Sequence, residues 1–317
     1  MEQGSKYIGA EKFRFDNVEG VDFSAGSTTN FVEFVDCKSA SFGVSGSFDG
    51  DKDAEKEINL TARNVDSLTI SKKYYTRVKH VKCDFDNVAN LSVFGMDLEN
   101  IDLENIKGVE YIFFSGCSNF SEKLERIKGV KRICLFECSE YPENLDLSAF
   151  DEVSLICTGY SDINEMKGIK FKEGATVCIS PASWDDPDGY GPITYHDIKI
   201  PPHIDFSKCS ELTLGGSFAQ YDTLSFGEGA KVNFFNVQKF PAVLDVSMCG
   251  EVVFDRLNAD VNQIIFKDMA QLEDVAKKSC KDEKEQKQFL SKLKKKAKFV
   301  NKEKSSGFLS KIWERGG

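Results

Sequence analysis

The chain has 317 residues, of which 41% are hydrophobic, and a formal net charge of −10 at pH 7. It has no run of the roughly 18 to 20 consecutive apolar residues that a membrane-spanning helix needs, and residues 1–14 lack the apolar centre of a secretory signal. Its ten cysteines are too sparse for a disulfide-stapled secreted domain, so we predict a cytoplasmic protein with reduced thiols.

Short strands are the first elements that the sequence predicts. Ten segments alternate an apolar, a variable and an apolar residue, which is the period of a β-strand with one buried face. In chain order these segments are residues 21–23, 68–70, 91–93, 112–114, 133–135, 153–155, 177–179, 212–214, 232–234 and 252–254. We expect each of them to supply one strand to a parallel sheet.

The segments belong to an internal repeat that is clearest between residues 88 and 138. The tetrapeptide Ile-Lys-Gly-Val at 106–109 returns at 127–130, and a cysteine follows each copy, at Cys117 and Cys138. Self-similarity at a fixed period is the signature of a solenoid, in which each unit buries its apolar residues against its neighbours. The repeat therefore predicts an elongated stack of coils.

Residues 109–117 and 130–138 resemble the short bacterial leucine-rich repeat, whose pattern is roughly LxxLxLxxN/C. Residues 88–96 match it nearly as well and end in Met96. Phenylalanine often replaces leucine, and the family's asparagine ladder is absent. The resemblance implies a ligand-binding scaffold without catalytic residues, and it leaves open whether the coils form a horseshoe or a straighter β-solenoid.

From Leu145 onward the coils gain a second alternating triplet. These triplets lie at residues 145–147, 169–171, 204–206, 224–226 and 264–266. Most are followed by a polar corner, so a coil of about 20 residues would hold two short strands separated by a bend. Coils also match at a distance of 40 residues, where Asp-Phe-Ser-x-Cys at 205–209 corresponds to Asp-Val-Ser-x-Cys at 245–249.

Two loops interrupt the repeat, near residues 43–61 and 180–202. In the first, Asp49, Asp51 and Asp53 have the initial spacing of a calcium-binding EF-hand loop. However, Ala54 stands where that loop needs glycine and Leu60 where it needs a bidentate glutamate. Since no Cys-x-x-Cys pair occurs either, we predict no metal site.

Signatures of enzymes are missing from the sequence. It has no phosphate-binding loop, nucleophile elbow or dinucleotide fingerprint, and its only histidines are His80, His196 and His203. We therefore predict no catalytic residue, no cofactor and no small-molecule substrate. An enzyme built on a β-solenoid would need a cluster of carboxylates instead.

The middle residues of the first triplets face outward, and only Asp22 among them is charged. The others are Thr69, Ser92, Phe113, Cys134, Ser154, Cys178, Thr213, Asn233 and Val253. Charge depletion with an exposed aromatic is typical of an interaction surface, so we predict that the eight residues from Ser92 to Val253 bind a partner. Alternatively, small uncharged side chains simply stack well on neighbouring strands, a reading that Phe113 does not favour.

The C-terminal segment differs in charge and period. Residues 268–317 carry 14 basic and 8 acidic residues, whereas residues 1–267 carry 27 and 43. Apolar residues at helical spacing predict one or two helices that cap the stack. Three lysines and four apolar residues could contact an anionic membrane, namely Lys294, Lys295, Lys296, Phe308, Leu309, Ile312 and Trp313. The alternatives are a purely structural cap with solvated lysines and, less favoured, nucleic-acid binding.

The sequence thus predicts a mostly β repeat solenoid of about eleven coils over residues 1–267, followed by a helical, basic cap and tail over 268–317. We expect a non-enzymatic scaffold that binds another protein along one face. The alternative is a peripheral membrane protein that docks through its cationic tail.

Overall fold

A computed structural model describes residues 5–7, 11–25, 29–44, 57–72, 80–120, 124, 127–157, 163, 166–181, 183–185, 192–194, 198–255 and 261–300. It is mostly β, with parallel strands forming a β-solenoid and a C-terminal pair of helices, as predicted. The chain divides into two compact units. Unit 1 comprises Met1–Leu155 with Tyr160–Asp162, and unit 2 comprises Ile156–Gly159 with Ile163–Gly317.

The solenoid has about nine turns, fewer than the predicted eleven or so. The coils that carry loops are longer than 20 residues. In unit 1, Ala40 pairs in register with Leu68, which follows it by 68 − 40 = 28 residues. In unit 2, Val177 pairs in register with Leu212, which follows it by 212 − 177 = 35 residues.

The strands that begin in unit 1 are β1 (Ser5–Tyr7), β2 (Lys12–Asp16), β3 (Gly20–Ser24), β4 (Phe31–Val35), β5 (Ser39–Val44), β6 (Ile58–Lys72), β7 (Val81–Phe94), β8 (Ile101–Lys107), β9 (Tyr111–Ser115), β10 (Arg132–Phe136), β11 (Asn144–Leu147) and β12 (Glu152–Cys157). In the described part of this unit, β1 and β2 are antiparallel, whereas the neighbours from β2 to β10 pair in parallel. The sheet has the order β2, β4, β6, β7, β9, β10, β12, while β3 pairs with β5, β5 also with β6, and β8 with β7. A short 3-10 helix, Leu98–Asn100, precedes β8.

Coils of unit 1 bend at a residue in the left-handed conformation, and these residues stack. Asn64 and Asn87 have φ of 52° and 60° in the middle of β6 and β7. The side-chain amide of Asn87 donates to Asn64 at 2.9 Å, and that of Asn64 donates to Asp36 at 2.8 Å. This corner ladder gives the early coils two strand segments each, so the prediction that second strands begin only at Leu145 was wrong.

Two glycines continue this corner in the next coils and explain the repeated Ile-Lys-Gly-Val. Gly108 and Gly129 have φ of 70° and 82°, a conformation that glycine adopts without steric cost. A Cβ atom on Gly108 would lie 2.9 Å from the Cα atom of Asn87, so the space there also requires glycine. The clearest sequence repeat therefore encodes the bend of the coil.

In most strands alternate residues are buried between the strand segments, and phenylalanines are the most frequent of the largest fully buried side chains. Phe34, Phe42 and Phe114 are fully buried. Cysteine thiols satisfy backbone groups between coils: Cys117 donates to the carbonyl of Val93 at 3.3 Å, and Cys138 to that of Phe114 at 3.6 Å. None of the ten cysteines forms a disulfide, and burial raises the pKa of the Cys138 thiol.

Unit 2 contains two parallel sheets. Its strands are β13 (Gly168–Phe171), β14 (Thr176–Pro181), β15 (Ser183–Asp185), β16 (Pro192–Thr194), β17 (Glu211–Ser217), β18 (Thr223–Ser225), β19 (Lys231–Lys239), β20 (Val243–Asp245), β21 (Glu251–Phe254), β22 (Gln263–Phe266) and β23 (Ala297–Phe299). One sheet has the order β14, β17, β19, β21, and the other the order β18, β20, β22, β23.

The loops depart from the predictions in detail. β15 and β16 pair antiparallel inside the segment 180–202. Residues 204–206 keep the predicted alternation of buried and exposed side chains but form no strand. Most of the segment 43–61, including the three aspartates of the rejected calcium loop, lies outside the described residues, whereas β5 and β6 occupy its two ends.

Helices α1 (Met269–Lys278) and α2 (Glu283–Lys296) pack at the end of unit 2 as the predicted cap. The hydroxyl of Ser279 accepts a hydrogen bond at 2.9 Å from the backbone N–H of Phe254 in the last strand of the first sheet. Leu293 of α2 is fully buried, and Phe289 contacts Phe254 with ring centroids 6.2 Å apart. The segment is not purely helical, because β23 follows α2 and pairs with β22.

No helix in the described ranges has the length and apolar composition to span a membrane.

Candidate functional site

The coils of unit 1 present two outer surfaces, one on each side of the corner ladder. The first, before the corner, is formed by outward residues of β2, β4, β6 and β7, and we call it the charged face. The second, after the corner, is formed by outward residues of β3, β5, β6, β7, β9 and β10, and we call it the uncharged face. β6 and β7 contribute to both faces with one continuous strand each.

The uncharged face is a grid of eighteen positions, of which only Asp22 and Arg132 carry a charge. Its three rows are in register across six strands and contain the predicted Ser92, Phe113 and Cys134. The rows are Gly20, Ser39, Ser67, Asn90, Tyr111 and Arg132; Asp22, Ser41, Thr69, Ser92, Phe113 and Cys134; and Ser24, Gly43, Ser71, Phe94, Ser115 and Phe136.

On the charged face, eight of twelve positions carry a charge. The rows are Lys12, Phe31, Asn59 and Lys82; Arg14, Glu33, Thr61 and Asp84; and Asp16, Val35, Arg63 and Asp86. Opposite charges meet on neighbouring strands, with Arg14 3.1 Å from Glu33 and Arg63 2.5 Å from Asp84.

The two faces have the same strand-to-strand spacing, since β6 and β7 run through both of them. Charged side chains are accommodated on one face by pairing with opposite charges across strands. Strand stacking therefore does not explain why the uncharged face has so few charged residues. Depletion of charged residues is typical of the core of a protein–protein interface.

Aromatic side chains gather at one end of the uncharged face, on β7, β9 and β10. The Phe113 ring lies 5.7 Å from that of Phe94 and 6.1 Å from that of Phe136. The Arg132 guanidinium lies 5.2 Å above the Tyr111 ring. We call Phe94, Tyr111, Phe113 and Phe136 the aromatic cluster. Phe94 is 37% exposed and the other three are half-buried, so their rings are partly accessible to a partner.

Cys134 lies beneath this cluster, which corrects its prediction as an exposed contact residue. It pairs in register with Phe113 and is only 5% exposed. Its neighbour Tyr111 has a pKa raised to about 12, mainly by burial and further by the Cys134 side chain. Cys134 therefore supports the aromatic rings and has too little exposed surface to contact a partner directly.

Other predicted residues fall into a separate row in unit 2, where Cys178, Thr213, Asn233 and Val253 pair in register. Next to this row runs a charged one, with Glu211, Lys231 and Glu251 paired in the same registers. Residues of the two rows line a depression of about 220 Å³. The predicted row is thus formed, but in unit 2 it is bordered by charge. Ser154 is half-buried on β12 of unit 1.

The lysines predicted to contact a membrane lie at the end of α2. Lys294 and Lys295 are exposed, whereas Lys296 is half-buried and donates a hydrogen bond to the carbonyl of Val261. The apolar side of α2 already packs on unit 2 through Leu293 and Phe289. Phe308, Leu309, Ile312 and Trp313 lie outside the described residues.

A cavity of about 160 Å³ in unit 1 is lined by His80, Asp102 and Glu104 together with apolar side chains. His203 is exposed and His196 lies outside the described residues. Within the described ranges, no three His, Cys, Asp or Glu side chains are placed to hold a metal ion.

No protein-family model, curated protein or solved structure matches the chain.

Proposed function

We propose that this protein is a non-enzymatic scaffold and that the uncharged face of unit 1 binds another protein. The observation that carries the proposal is the contrast between two faces built on the same strands. One face holds two charges in eighteen positions, and the other holds eight in twelve. The scaffold needs no cofactor and no small-molecule substrate.

The aromatic cluster is the anchor of this surface. Aromatic side chains are enriched among residues whose truncation costs the most binding energy, because they bury a large area with few rotatable bonds. Around them, Ser67, Thr69, Ser71 and Asn90 offer hydroxyl and amide groups without the desolvation cost of a full charge. A neutral surface of this kind favours a partner surface that is itself poor in charge.

The resemblance to leucine-rich repeats supports a role as a scaffold. In that family the Asn/Cys position ends the strand, and here Cys117 and Cys138 occupy it and donate to carbonyls of the preceding coil. We infer that the coils of residues 88–138 are of this type. We also infer a cytoplasmic location, because none of the ten cysteines forms a disulfide.

Paired charge substitutions test the proposal. Phe113→Glu places a carboxylate in the aromatic cluster, whereas Asn59→Glu adds the same charge on the charged face beside Lys82. Immobilised protein should retain the same partner in its wild-type and Asn59→Glu forms and lose it in the Phe113→Glu form. The Phe113→Glu form should also fail to bind the partner once that partner has been purified. Equal retention by both folded variants would refute the proposal.

A second candidate function is contact with an anionic membrane. The observation that favours it is the outer side of α2, where Lys287, Lys294 and Lys295 are exposed around a shallow depression. Each lysine near an anionic surface contributes on the order of 1 kcal/mol of attraction. The double variant Lys294→Glu, Lys295→Glu should then abolish sedimentation with vesicles rich in phosphatidylserine. Unchanged sedimentation would exclude these lysines from membrane binding.

A further inference from the structure

The two most exposed large apolar side chains in the described part of unit 2 lie together. Val300 follows β23 and is 60% exposed, and Met248 lies in the turn after β20 and is 53% exposed. Both line a depression of about 360 Å³, with Glu228 and Lys267 at its border. We call this depression the Met248 patch. An apolar patch with a charged border is typical of a binding surface.

The fold does not require an apolar residue at Met248. The same turn occurs at residues 206–209, where the equivalent residue is the exposed Lys208. The two turns share their hydrogen bond, since the N–H of Cys209 donates to Phe206 at 3.1 Å and that of Cys249 to Val246 at 3.0 Å. Because a charged residue suits this exposed turn elsewhere, methionine at 248 indicates that something apolar covers it.

The residues that follow Val300 in the chain are a candidate to cover the patch. The described chain ends at Val300, which lines the depression, and residues 301–317 follow. Their sequence begins with a polar stretch, 301–307, and continues with Phe308, Leu309, Ile312 and Trp313 at helical spacing. Seven residues can span at most about 23–25 Å, enough to turn back to the attachment point.

We propose that the Met248 patch is the docking site for the apolar segment 308–313 of the same chain. A short tether gives such a segment an effective concentration in the millimolar range, so weak contacts suffice to keep it bound. The basic residues Lys311 and Arg315 would then lie near Glu228 at the border. The proposal does not depend on partner binding by unit 1.

Docking and membrane contact would use the same side chains. The segment cannot be buried against Met248 and in a lipid surface at once, because both contacts would use Phe308, Leu309, Ile312 and Trp313. Anionic vesicles should therefore compete with the patch for this segment, and an uncovered patch should strengthen vesicle binding.

The fluorescence of Trp313 in the full chain tests the docking. Trp184→Phe removes the only other tryptophan. Trp313 should then emit at a shorter wavelength than in the urea-unfolded protein and resist quenching by iodide, because docking shields it from water. Adding Met248→Glu should move both properties to their unfolded-state values. Lys208→Glu, at the equivalent turn of another coil, should leave them unchanged.

A solvent-like emission of Trp313 in the folded protein would overturn the proposal, as would a shielded emission that Met248→Glu does not alter. An emission that shifts on dilution would assign the segment to a second copy and overturn docking within one chain. Oxidation of Met248 by peroxide gives an independent measurement. Trp313→Ser should raise its rate several-fold, while the buried Met166 keeps its own rate and the unfolding midpoint is unchanged.

Discussion

The charged and uncharged faces of unit 1 differ in side chains although they share backbone geometry. β6 carries Asn59, Thr61 and Arg63 before the corner and Ser67, Thr69 and Ser71 after it. On the charged face, ion pairs such as Arg63 with Asp84 are satisfied within the protein. On the uncharged face, aromatic rings contact one another and remain partly exposed. This difference is the basis of our proposal that the uncharged face binds a partner.

The largest effect that we expect is a difference in the free energy of unfolding between a substitution in the core and one on the uncharged face. Phe114 is fully buried, whereas its neighbour Phe113 is half-buried in the aromatic cluster. Phe114→Ala should lower the free energy of unfolding by about 3–5 kcal/mol, and Phe113→Ala by about 1 kcal/mol or less. Urea unfolding of the two variants measures both values. Similar losses would mean that Phe113 is kept for stability and would weaken its assignment to binding.

The next effect concerns the corner that divides the two faces. Gly108→Ala should cost about 2–4 kcal/mol, because a left-handed alanine is strained and its Cβ atom would overlap Asn87. Gly116 is the matched control, since its φ is 58° but nothing lies within 4 Å of a Cβ atom there. Gly116→Ala should cost only about 1–2 kcal/mol. Equal costs would contradict the close approach of the coils at Gly108.

A smaller effect tests whether the aromatic cluster shields Cys134. Phe113→Ala should increase the rate of alkylation of Cys134 about tenfold, equivalent to roughly 1.4 kcal/mol, because the ring in register with it is removed. Mass spectrometry after brief exposure to iodoacetamide measures labelling at each cysteine. Cys117, which is fully buried in the core, is the reference and should remain unlabelled. A Cys134 that already reacts in the wild-type protein would disprove the shielding.

The smallest effect belongs to the charged face. Asp84→Asn removes the carboxylate partner of Arg63 from an ion pair in which the Arg63 side chain is 32% exposed and that of Asp84 is 59% exposed. We expect a loss of at most about 1 kcal/mol at low ionic strength and no loss in 1 M salt, where charges are screened. Ser92→Asn on the uncharged face should show no such dependence on salt. A salt-independent loss in Asp84→Asn would show that this ion pair does not stabilise the face.

The strands of the inner core could be predicted because their alternation is local. Ile112 and Ile133 do pair in register, as the repeat implies. One strand of the stack, β5, escaped prediction because Ala40 is a weak apolar signal and the coil after it is long. The first segments of the early coils also escaped, since Asn64 and Asn87 bend the strand without the glycine or proline that usually marks a turn.

The candidate surface could be predicted only as a single row. Sequence alternation placed Phe113 outside, but Phe94, Tyr111 and Phe136 join it only once the register of three strands is known. Including the outward residues two positions before and after each triplet centre would have revealed them. The burial of Cys134 could not be predicted, because it depends on how large rings from neighbouring positions fold over a small side chain.

The most direct test of the central claim is the affinity of the purified partner for matched charge variants of the full chain, measured by titration calorimetry. We predict that Phe113→Glu weakens binding at least a hundredfold, as expected for the loss of a central aromatic anchor worth about 3 kcal/mol, and that Asn59→Glu changes it less than threefold. Equal affinities of the two variants, with both correctly folded, would contradict the assignment of the uncharged face as the binding surface.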